Sequence, residues 1–553
     1  MNNTSRNWWI TSLWIAIFIH FILSLSISLS YHWGYISSII DLGTFDQAVW
    51  GTLHGDFFLN THIFNVLINY LGFHFRPILL IFLPFYAILP KAEWMILSQS
   101  LALSLTAWPI FLLAKHVSKS ETVAFCWALV YMVNPFVIST PPWVFRPESL
   151  AVPFIAISLL SIEKSNFRLL LLSCFVIVLC KEHFGIMIIG FGFLWGLRNR
   201  RWKQAILIVS FGAIYSILVL GIIMPALSPT GEHVMLSQGL GQVSRYSWLG
   251  GSMKEVFQAL LFHPITVAKV VLLEFGGAKY LLVLMIFFLG FPLAAPEFLL
   301  PGLADLMANI LSANPMPRSP FAYHSVTLIP ILTTAAIYGV KRLSAHQTRY
   351  TLIQLTGLAA IVSFSFVGGY VFAPLPLPKA CNFWAPANFL SRPDPRIQTI
   401  RSLVGDNASV SAQANVGSHF SQRHEIYRYP NMVSQVDAII LRLESPTTNI
   451  NNLPDQIKNN RKYLTGSLDS HLQMDRTEYI TSIKALLFNN KYGVLLWDDP
   501  WLVLAQGASS HGLKQKIEQK LNRLEEEWKI DSKALVDAEN AVLGQKMPFL
   551  NVR

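Results

Sequence analysis

The chain has 553 residues, of which 53% are hydrophobic and only 13% are charged. Because a soluble domain carries about 25% charged residues, this composition excludes an ordinary soluble protein and predicts a polytopic membrane protein. The formal net charge of +11 does not indicate a nucleic-acid partner, since the basic residues are scattered between apolar stretches and report membrane topology. Of the four cysteines, only Cys381 lies outside an apolar stretch, so no disulfide framework is predicted.

Apolar stretches that could cross a membrane recur along the first two thirds of the chain. A full crossing needs about 20 residues, and several of these stretches are shorter, which predicts bent or broken helices around a cavity. The first stretch is long and has no convincing small-residue cleavage site, so we expect a signal anchor. The eleven candidate spans are 8–30, 94–114, 121–139, 149–162, 168–180, 183–197, 203–226, 279–295, 297–311, 322–340 and 351–373.

Basic residues in the connecting segments predict the orientation, because Lys and Arg concentrate on the cytoplasmic side. The turns around Lys115 and Arg198 are basic and should lie inside the cell. Counting the crossings between these turns then places the N-terminus inside the cell and the C-terminus outside it. The protein is predicted to be integral to the plasma or inner membrane. The count also makes 76–89 an interfacial or re-entrant helix. The segment 169–197 becomes a hairpin with Lys181-Glu182-His183 at its outer tip.

The chain is predicted to have two domains. Residues 1–375 form a transmembrane domain with outer loops 31–93 and 227–278, and 254–273 is expected to be one amphipathic helix on the membrane surface. Prolines stiffen a linker at 374–378, beyond which the composition becomes soluble. The predicted fold is a polytopic α-helical membrane protein of about 11 transmembrane helices with a C-terminal extracytoplasmic α/β domain, 376–553. The expected elements of that domain are strands at 408–412, 436–441, 492–497 and 501–505, a turn at 498–500, and a helix over 513–528.

Two acids follow the first apolar stretch closely. Asp41 and Asp46 lie within about a helical turn or so of the membrane boundary, where a carboxylate is costly unless it meets water, a partner or a substrate. Gly55-Asp56 follows in the same loop. The alternative interpretation is a solvated loop in which Asp41 and Thr44 only cap helices.

The other unusual polar residues also fall on the predicted outer side, which indicates a function outside the cytoplasm. For any single residue, the alternative is that outer loops simply tolerate polar side chains. That alternative fits the hairpin tip least, because its ionisable groups join two apolar runs that are short for a crossing. These residues are His62, His74, Arg76, Arg146, Glu148, Lys181, Glu182, His183, Arg318, Tyr323, His324 and the run 419–423.

Five motifs together resemble a bacterial family of predicted membrane proteins that is named only as a domain of unknown function, DUF2079. The resemblance covers nearly the whole chain. The motifs are Asp41-Leu42-Gly43 with Gln47 and Trp50, His74-Phe75-Arg76-Pro77, Phe145-Arg146-Pro147-Glu148, Lys181-Glu182-His183 and Ser418-His419-Phe420-Ser421-Gln422-Arg423.

That family in turn resembles the GT-C class of membrane glycosyltransferases, including the protein mannosyltransferases and the lipid A aminoarabinose transferase. Those enzymes carry an acidic pair early in the first outer loop, then a Gly-Asp, a proline-containing stretch, and a Thr-Lys at a later hairpin tip. Two positions depart from the pattern: Leu42 replaces the second acid unless Asp46 serves for it, and Arg76-Pro77 replaces a double proline. The metal requirement therefore stays open, with a divalent cation as the candidate cofactor. The matching positions, in order, are Asp41, Gly55-Asp56, Arg76-Pro77 and Cys180-Lys181.

The resemblance implies a glycosyltransferase that takes a polyprenyl-phosphate-linked sugar at the outer membrane face. Asp41, or else Asp46, would accept the proton of the attacking hydroxyl, and direct displacement would invert the anomeric centre. The hairpin tip would share an outer cavity with Asp41, and the acceptor is a lipid, a glycan or a protein. The phosphate needs cations, although each of these could instead only snorkel to the interface: Lys181, Arg76, Arg146 and Arg318. The remaining predicted substrate-binding residues are Asp56, His74, Glu148, Glu182, His183, Tyr323 and His324.

Two other classes of protein stay open. A transporter or lipid-binding protein without chemistry would also use short, proline-marked spans and buried ions. The sequence shows no paired inverted repeat, and its polar residues crowd one side rather than the midplane, which favours the enzyme. The third class is a scaffold whose outer domain recruits a partner.

Overall fold

The structure is a computed structural model that describes residues 3–61, 65–229, 231, 245–319, 322–344, 350–372, 391–444, 472–474, 476–489, 491–510 and 512–543. The chain divides into two compact units. The first comprises Met1–Ser28, Ile68–Phe85 and Glu93–Leu375, and the second comprises Leu29–Leu67, Tyr86–Ala92 and Pro376–Arg553. Much of the predicted outer loop 31–93 thus belongs to the second unit, while the division into domains at residue 375 stays a prediction. The proline linker, His62 and Cys381 lie outside the described residues.

The described part of the first unit is almost entirely helical, because long runs of Leu, Ile, Val and Phe satisfy their backbone hydrogen bonds within each helix. Each of the eleven apolar stretches contains helix. The α-helices are Asn3–Trp33, Tyr70–Phe73, Leu83–Ile88, Glu93–Leu105, Ala107–Ser118, Glu121–Met132, Pro135–Ile138, Val152–Glu163, Phe167–Val178, Phe184–Asn199, Trp202–Leu218, Met224–Leu227, Met253–Phe262, Pro264–Lys269, Gly277–Ile286, Leu303–Ile310, Leu328–Ser344 and Tyr350–Phe372.

Short 3-10 and π segments connect these helices. The 3-10 segments are Pro77–Phe82, Pro141–Trp143, Pro147–Ala151, Ser247–Leu249, Phe291–Ala294, Pro296–Gly302, Met316–Arg318 and Tyr323–Ser325, the π segments are Val219–Ile223 and Val270–Glu274, and one two-residue strand is Ile68–Asn69.

Few of these helices could cross a membrane alone. By length and composition, three helices of the described ranges are long and apolar enough: Trp8–Trp33, Glu93–Ser118 and Trp202–Leu227. Counting each of two bent helix pairs as one span raises the number to five. The chain is therefore helical with membrane-spanning segments, and about eleven crossings stays a prediction.

Prolines break the two bent pairs. Glu121–Met132 and Pro135–Trp143 meet at 48°, because Pro135 has no N–H to continue the helix and the Asn134 side chain accepts from the Phe136 N–H at 3.1 Å instead. Lys254–Phe262 and Pro264–Glu274 meet at 91°. The prediction of one amphipathic helix over 254–273 was therefore wrong, since Pro264 divides it into two.

Glycines allow close packing beside the hairpin tip. Gly185, at the start of Phe184–Asn199, faces Gly212 of Trp202–Leu218 so closely that a Cβ built on Gly212 would lie 2.4 Å from the Gly185 carbonyl oxygen. A larger residue at Gly212 would push these helices apart. The packing therefore fixes the helix that begins immediately after Lys181, Glu182 and His183.

The second unit contains a five-stranded sheet. Its strand order is Ile426–Arg428, Val410–Ala412, Ala438–Arg442, Trp501–Gln506 and Tyr492–Asp498. The first three strands are parallel, and the last two form an antiparallel hairpin. The predicted strands and the turn at 498–500 are thus confirmed, whereas the short strand Ile426–Arg428 was missed. The other elements are the π segment Ile39–Gly43, the 3-10 segment Gly417–His419, the helices Thr44–Leu53, Arg396–Val404, Arg476–Phe488 and Lys514–Leu543, and the strand Leu59–Asn60.

Both faces of this sheet are buried. Because side chains alternate along a strand, each strand contributes residues to both faces. In the central strand, Ile439 and Leu441 pack against helices Arg476–Phe488 and Lys514–Leu543. Ile440 packs on the other face, in a core that includes Ile39 of the first-loop segment. The segment that carries Asp41 is therefore part of the hydrophobic core of the second unit.

Candidate functional site

Asp41 of the second unit lies in a short π segment with firmly held ends. The Ile39 N–H donates to the Ala414 carbonyl at 2.8 Å, and the Ser38 hydroxyl accepts from the Ile40 N–H at 3.3 Å. The N-cap of the segment is therefore Ser38, and that of the next helix, Thr44–Leu53, is Gly43. Asp41 itself is partly exposed.

Asp46 of the same unit is in a different environment. It is buried and accepts hydrogen bonds from the Tyr86 hydroxyl at 2.7 Å, the Ser421 hydroxyl at 2.6 Å and the Gln422 amide at 3.0 Å. Burial raises the pKa of Asp46, while these three donors act in the opposite direction. The carboxyl group joins the first-loop helix to the segment around Ser421.

We expect Asp46→Asn to change the free energy of unfolding by less than about 1 kcal/mol and Asp46→Ala to lower it by about 2–4 kcal/mol. An Asn amide can still accept from Tyr86 and Gln422 while donating to the Ser421 hydroxyl, whereas Ala removes the acceptor that these three side chains share. Because the folded-state pKa is the higher one, stability from this carboxyl is full below the ordinary carboxyl pKa and declines as pH rises through the raised value. Asn removes that dependence. Denaturation of the purified protein at several pH values measures both effects, and equal losses for Asn and Ala would contradict this assignment.

The segment around Ser421 is held by backbone carbonyls. The Arg423 guanidinium donates to the carbonyls of Phe420 and Ala408, both at 2.8 Å. His419 stacks on His32 with ring centroids 4.2 Å apart. These contacts give the motif a structural function within the second unit. Asp56 forms an ion pair with His424, and both side chains are partly exposed.

A separate ionic cluster lies in the first unit, and Glu148 is at its centre. One Glu148 oxygen accepts from Arg76 at 2.8 Å and contacts the Lys181 ammonium at 3.0 Å. Arg76 also donates to the Tyr70 hydroxyl at 2.9 Å. Burial alone would raise the pKa of Glu148, but Arg76 and Lys181 outweigh it and hold that pKa well below its usual range. Glu148 is therefore an anion shared by two cations.

Two histidine–carboxylate pairs adjoin this cluster. His74 lies 3.1 Å from Glu182, and burial lowers the pKa of His74 to about 4 although Glu182 opposes the shift. His183 contacts Asp305 through Nε2 at 2.6 Å, and Asp305 also accepts from the Thr327 hydroxyl. Both residues of the hairpin tip beside Lys181 are thus held in place by a partner.

The remaining predicted cations are held differently. The Arg318 guanidinium donates to the carbonyls of Asn309 at 3.0 Å, Ile310 at 3.3 Å and Ser312. It caps the end of helix Leu303–Ile310. The Arg146 guanidinium instead lies over two aromatic rings, 5.1 Å from the centroid of Trp143 and 4.3 Å from that of Tyr323.

The structure brings most of the predicted residues of the first unit together around Lys181. Its ammonium is within electrostatic range of Glu148, Tyr323, Asp305 and Arg76. His324 is in turn within range of Lys181 and Arg146. Asp41, Asp46 and Asp56 belong to the second unit, so the shared outer cavity of Asp41 and Lys181 stays a prediction.

Sequence reasoning missed several members of this site. Asp305 is an acid inside an apolar run, and such a residue indicates a functional position by itself. Tyr70, Thr327 and Gln99 are uncharged and gave no comparable signal.

An apolar cavity of about 280 Å³ also lies in the first unit, between the first helix and the bent pair 121–143. Its lining is mainly aliphatic and includes His20, Ser24, Phe366 and Pro141. The Pro141 carbonyl accepts from the Ser28 hydroxyl at 2.8 Å. Pro141 is separated from Trp143 by one residue, so one short segment connects the cavity with the aromatic pair beneath Arg146.

A metal site does not emerge from the side chains that the structure describes. Within those residues, no three His, Cys, Asp or Glu side chains are grouped so that they could hold a metal ion.

These features define a helical membrane protein with a buried ionic cluster in one unit and a parallel and antiparallel sheet in the other. The chain belongs to the predicted membrane protein family DUF2079, whose model matches residues 31–479. The matched range includes all the predicted site residues.

No curated protein matches the chain. Among solved structures, it is similar to ArnT from Cupriavidus metallidurans, in a crystal structure bound to undecaprenyl phosphate. The two share 10% sequence identity over 91% of this chain and 99% of that chain, with a TM-score of 0.47. A TM-score of this size does not establish a shared fold.

Proposed function

We propose that this protein is a GT-C-type membrane glycosyltransferase that transfers a sugar from a polyprenyl-phosphate donor at the outer membrane face. The observation that carries the proposal is the cluster around Lys181. The ammonium of Lys181 and the guanidinium of Arg76 share one carboxylate, that of Glu148, and the guanidinium of Arg146 lies over two aromatic rings. Buried charge of this kind is costly in a membrane protein, and cations held in this way suit a phosphate ligand.

In the proposed site, Lys181 is the cation that meets the phosphate first. Its side chain is 14% exposed, whereas that of Arg76 is 4% exposed. Arg76 keeps Glu148 and Tyr70 as partners when Lys181 turns its ammonium to the phosphate. Glu148 therefore positions both cations and prevents their mutual repulsion.

Asp41 is the proposed general base, because it is partly exposed, whereas Asp46 is buried among three donors and Asp56 is in contact with His424. The acceptor hydroxyl loses its proton to Asp41 and attacks the anomeric carbon. The bond from that carbon to the phosphate oxygen breaks, and the oxygen retains the electron pair. The product is an inverted glycoside, and polyprenyl phosphate is the leaving group.

The apolar cavity supports a lipid-linked donor. Its aliphatic walls could hold a few isoprene units of the donor, and the segment from Pro141 to Trp143 leads from it to Arg146. A ligand with an apolar tail and an anionic head matches an apolar cavity that is followed by the cation Arg146.

The direct test is transfer by the purified full-length protein in lipid nanodiscs. Polyprenyl-phosphate sugars labelled in the sugar are added with lipid, glycan and protein acceptors, and both labelled product and released polyprenyl phosphate are measured. We expect both to form in equal amounts. Binding without release under all acceptors would support a lipid-binding protein instead.

The C-terminal unit is proposed to lie outside the cell, in an eleven-span topology. A cysteine introduced at the exposed residue Ser434, in a chain lacking the four native cysteines, should react with a membrane-impermeant thiol reagent in intact cells. A cysteine at Arg200, in a predicted cytoplasmic turn, is the matched control and should react only after lysis. The reverse pattern would invert the topology.

A further inference from the structure

The loop between helices Pro135–Ile138 and Val152–Glu163 contains a strained residue. Val144 has φ of 64° and ψ of −64°, a region that β-branched residues rarely adopt. The Phe145 N–H donates to the Trp143 carbonyl at 2.7 Å. This is a γ-turn of the strained, positive-φ kind. Strain of this type persists only where the surrounding structure enforces it, and it concentrates at functional sites.

Gln99 enforces the turn. It lies in helix Glu93–Leu105 and has no exposed surface. Its amide nitrogen donates to the Val144 carbonyl at 3.1 Å, and its amide oxygen accepts from the Arg146 N–H at 2.7 Å. One buried side chain thus holds the backbone on both sides of Phe145.

The turn places the Arg146 side chain on an aromatic support. Trp143 and Tyr323 meet edge to face with centroids 5.4 Å apart, and the Arg146 guanidinium lies over both rings at 5.1 and 4.3 Å. A guanidinium stacks through its face, whereas its bidentate contacts with phosphate form at its edge, so the two kinds of contact are geometrically compatible. The stacking also limits its conformational freedom before a ligand binds.

We propose that Gln99 and the strained turn at Val144 are a positioning device that holds Arg146 ready to bind the phosphate of the lipid-linked donor. The inference rests on the proposed function and deepens it: Arg146 is a second phosphate ligand beside Lys181, and Gln99 is a positioning residue that acts through Arg146. Because Gln99 belongs to helix Glu93–Leu105, that helix fixes the position of the backbone that carries Arg146. A Gly at residue 144 would accept the same backbone angles without strain.

A double-mutant cycle tests this. The affinity of the full-length protein in nanodiscs for a polyprenyl monophosphate is measured for Arg146→Ala, Gln99→Leu and the double variant. We expect Arg146→Ala to weaken binding about 10- to 100-fold and Gln99→Leu about 10-fold. The double variant should bind no more weakly than Arg146→Ala alone, because Gln99 has nothing left to position.

Two further variants complete the design. Gln99→Asn is too short to reach both backbone groups and serves if Gln99→Leu does not accumulate, with the same expected loss. Gln413→Leu is the matched control, since Gln413 is a buried glutamine of the second unit that accepts from the Arg442 N–H at 2.9 Å, and it should leave affinity unchanged.

The outcomes separate the two proposals. Additive losses in the double variant, or wild-type affinity in a folded Gln99→Asn protein, would overturn the positioning role while leaving the transferase proposal intact. Wild-type affinity in Arg146→Ala would exclude Arg146 as a phosphate ligand. No binding of the polyprenyl monophosphate by the wild type would overturn the proposed function itself, and the positioning role with it.

Discussion

Replacing Asp41 by Asn should lower the rate of glycosyl transfer by about 10² to 10⁴, which corresponds to about 3–5 kcal/mol of activation free energy. Asn keeps the size and most hydrogen bonds of Asp but cannot accept the proton of the attacking hydroxyl. The helix N-caps nearby are Ser38 and Gly43, and Asn caps about as well as Asp. Protein level and thermal stability should therefore stay at wild-type values while the maximal rate falls.

Initial rates at saturating donor measure this effect. Asp437→Asn is the matched control, because Asp437 is an exposed acid of the same unit whose carboxylate accepts from the Ser409 backbone N–H at 2.8 Å, and its activity should be unchanged. Full activity in Asp41→Asn together with an inactive, folded Asp46→Asn would move the base to Asp46. Full activity in both variants would remove the general-base mechanism from the first loop.

Replacing Glu148 by Leu should lower the free energy of unfolding by about 3–5 kcal/mol, because it leaves Arg76 and Lys181 close together in a buried site without the carboxylate they share. A loss of this size is a large part of the stability of a typical protein. Denaturation of purified protein in the same detergent, followed by the loss of helical signal or of monodispersity, measures it.

Glu297→Gln provides the comparison, since its ion pair with Arg342 is more exposed than the Glu148 cluster and should contribute less than about 1 kcal/mol. Adding Lys181→Met to Glu148→Leu should recover part of the loss, because one unpaired cation is removed and Arg76 retains Tyr70. Wild-type stability in Glu148→Leu would mean that water or lipid headgroups already neutralise the two cations.

Local patterns in the sequence predicted much of this structure. Alternating apolar residues and the Asp498-Asp499-Pro500 turn gave the strands of the sheet, because side chains alternate between its faces. The order of those strands could not be predicted, since parallel neighbours are paired by contacts distant in sequence. Strand Ile426–Arg428, which has three residues, was missed.

Candidate site residues were visible wherever charge stands in an apolar context, as at Lys181 and Glu148. Their partners were not visible, because a shared carboxylate such as Glu148 joins three segments that only the folded chain brings together. Gln99 shows the limit most clearly. An uncharged amide in a helix gives no signal in the sequence. The role of Gln99 depends on the backbone angles of Val144, and these angles cannot be predicted from the residue types.

The sharing of Glu148 also has a consequence for how the protein moves. One carboxylate joins three separate segments, those of Arg76, Glu148 and Lys181. None of the three segments can move away without leaving a buried charge with fewer partners, so we expect them to move together or not at all.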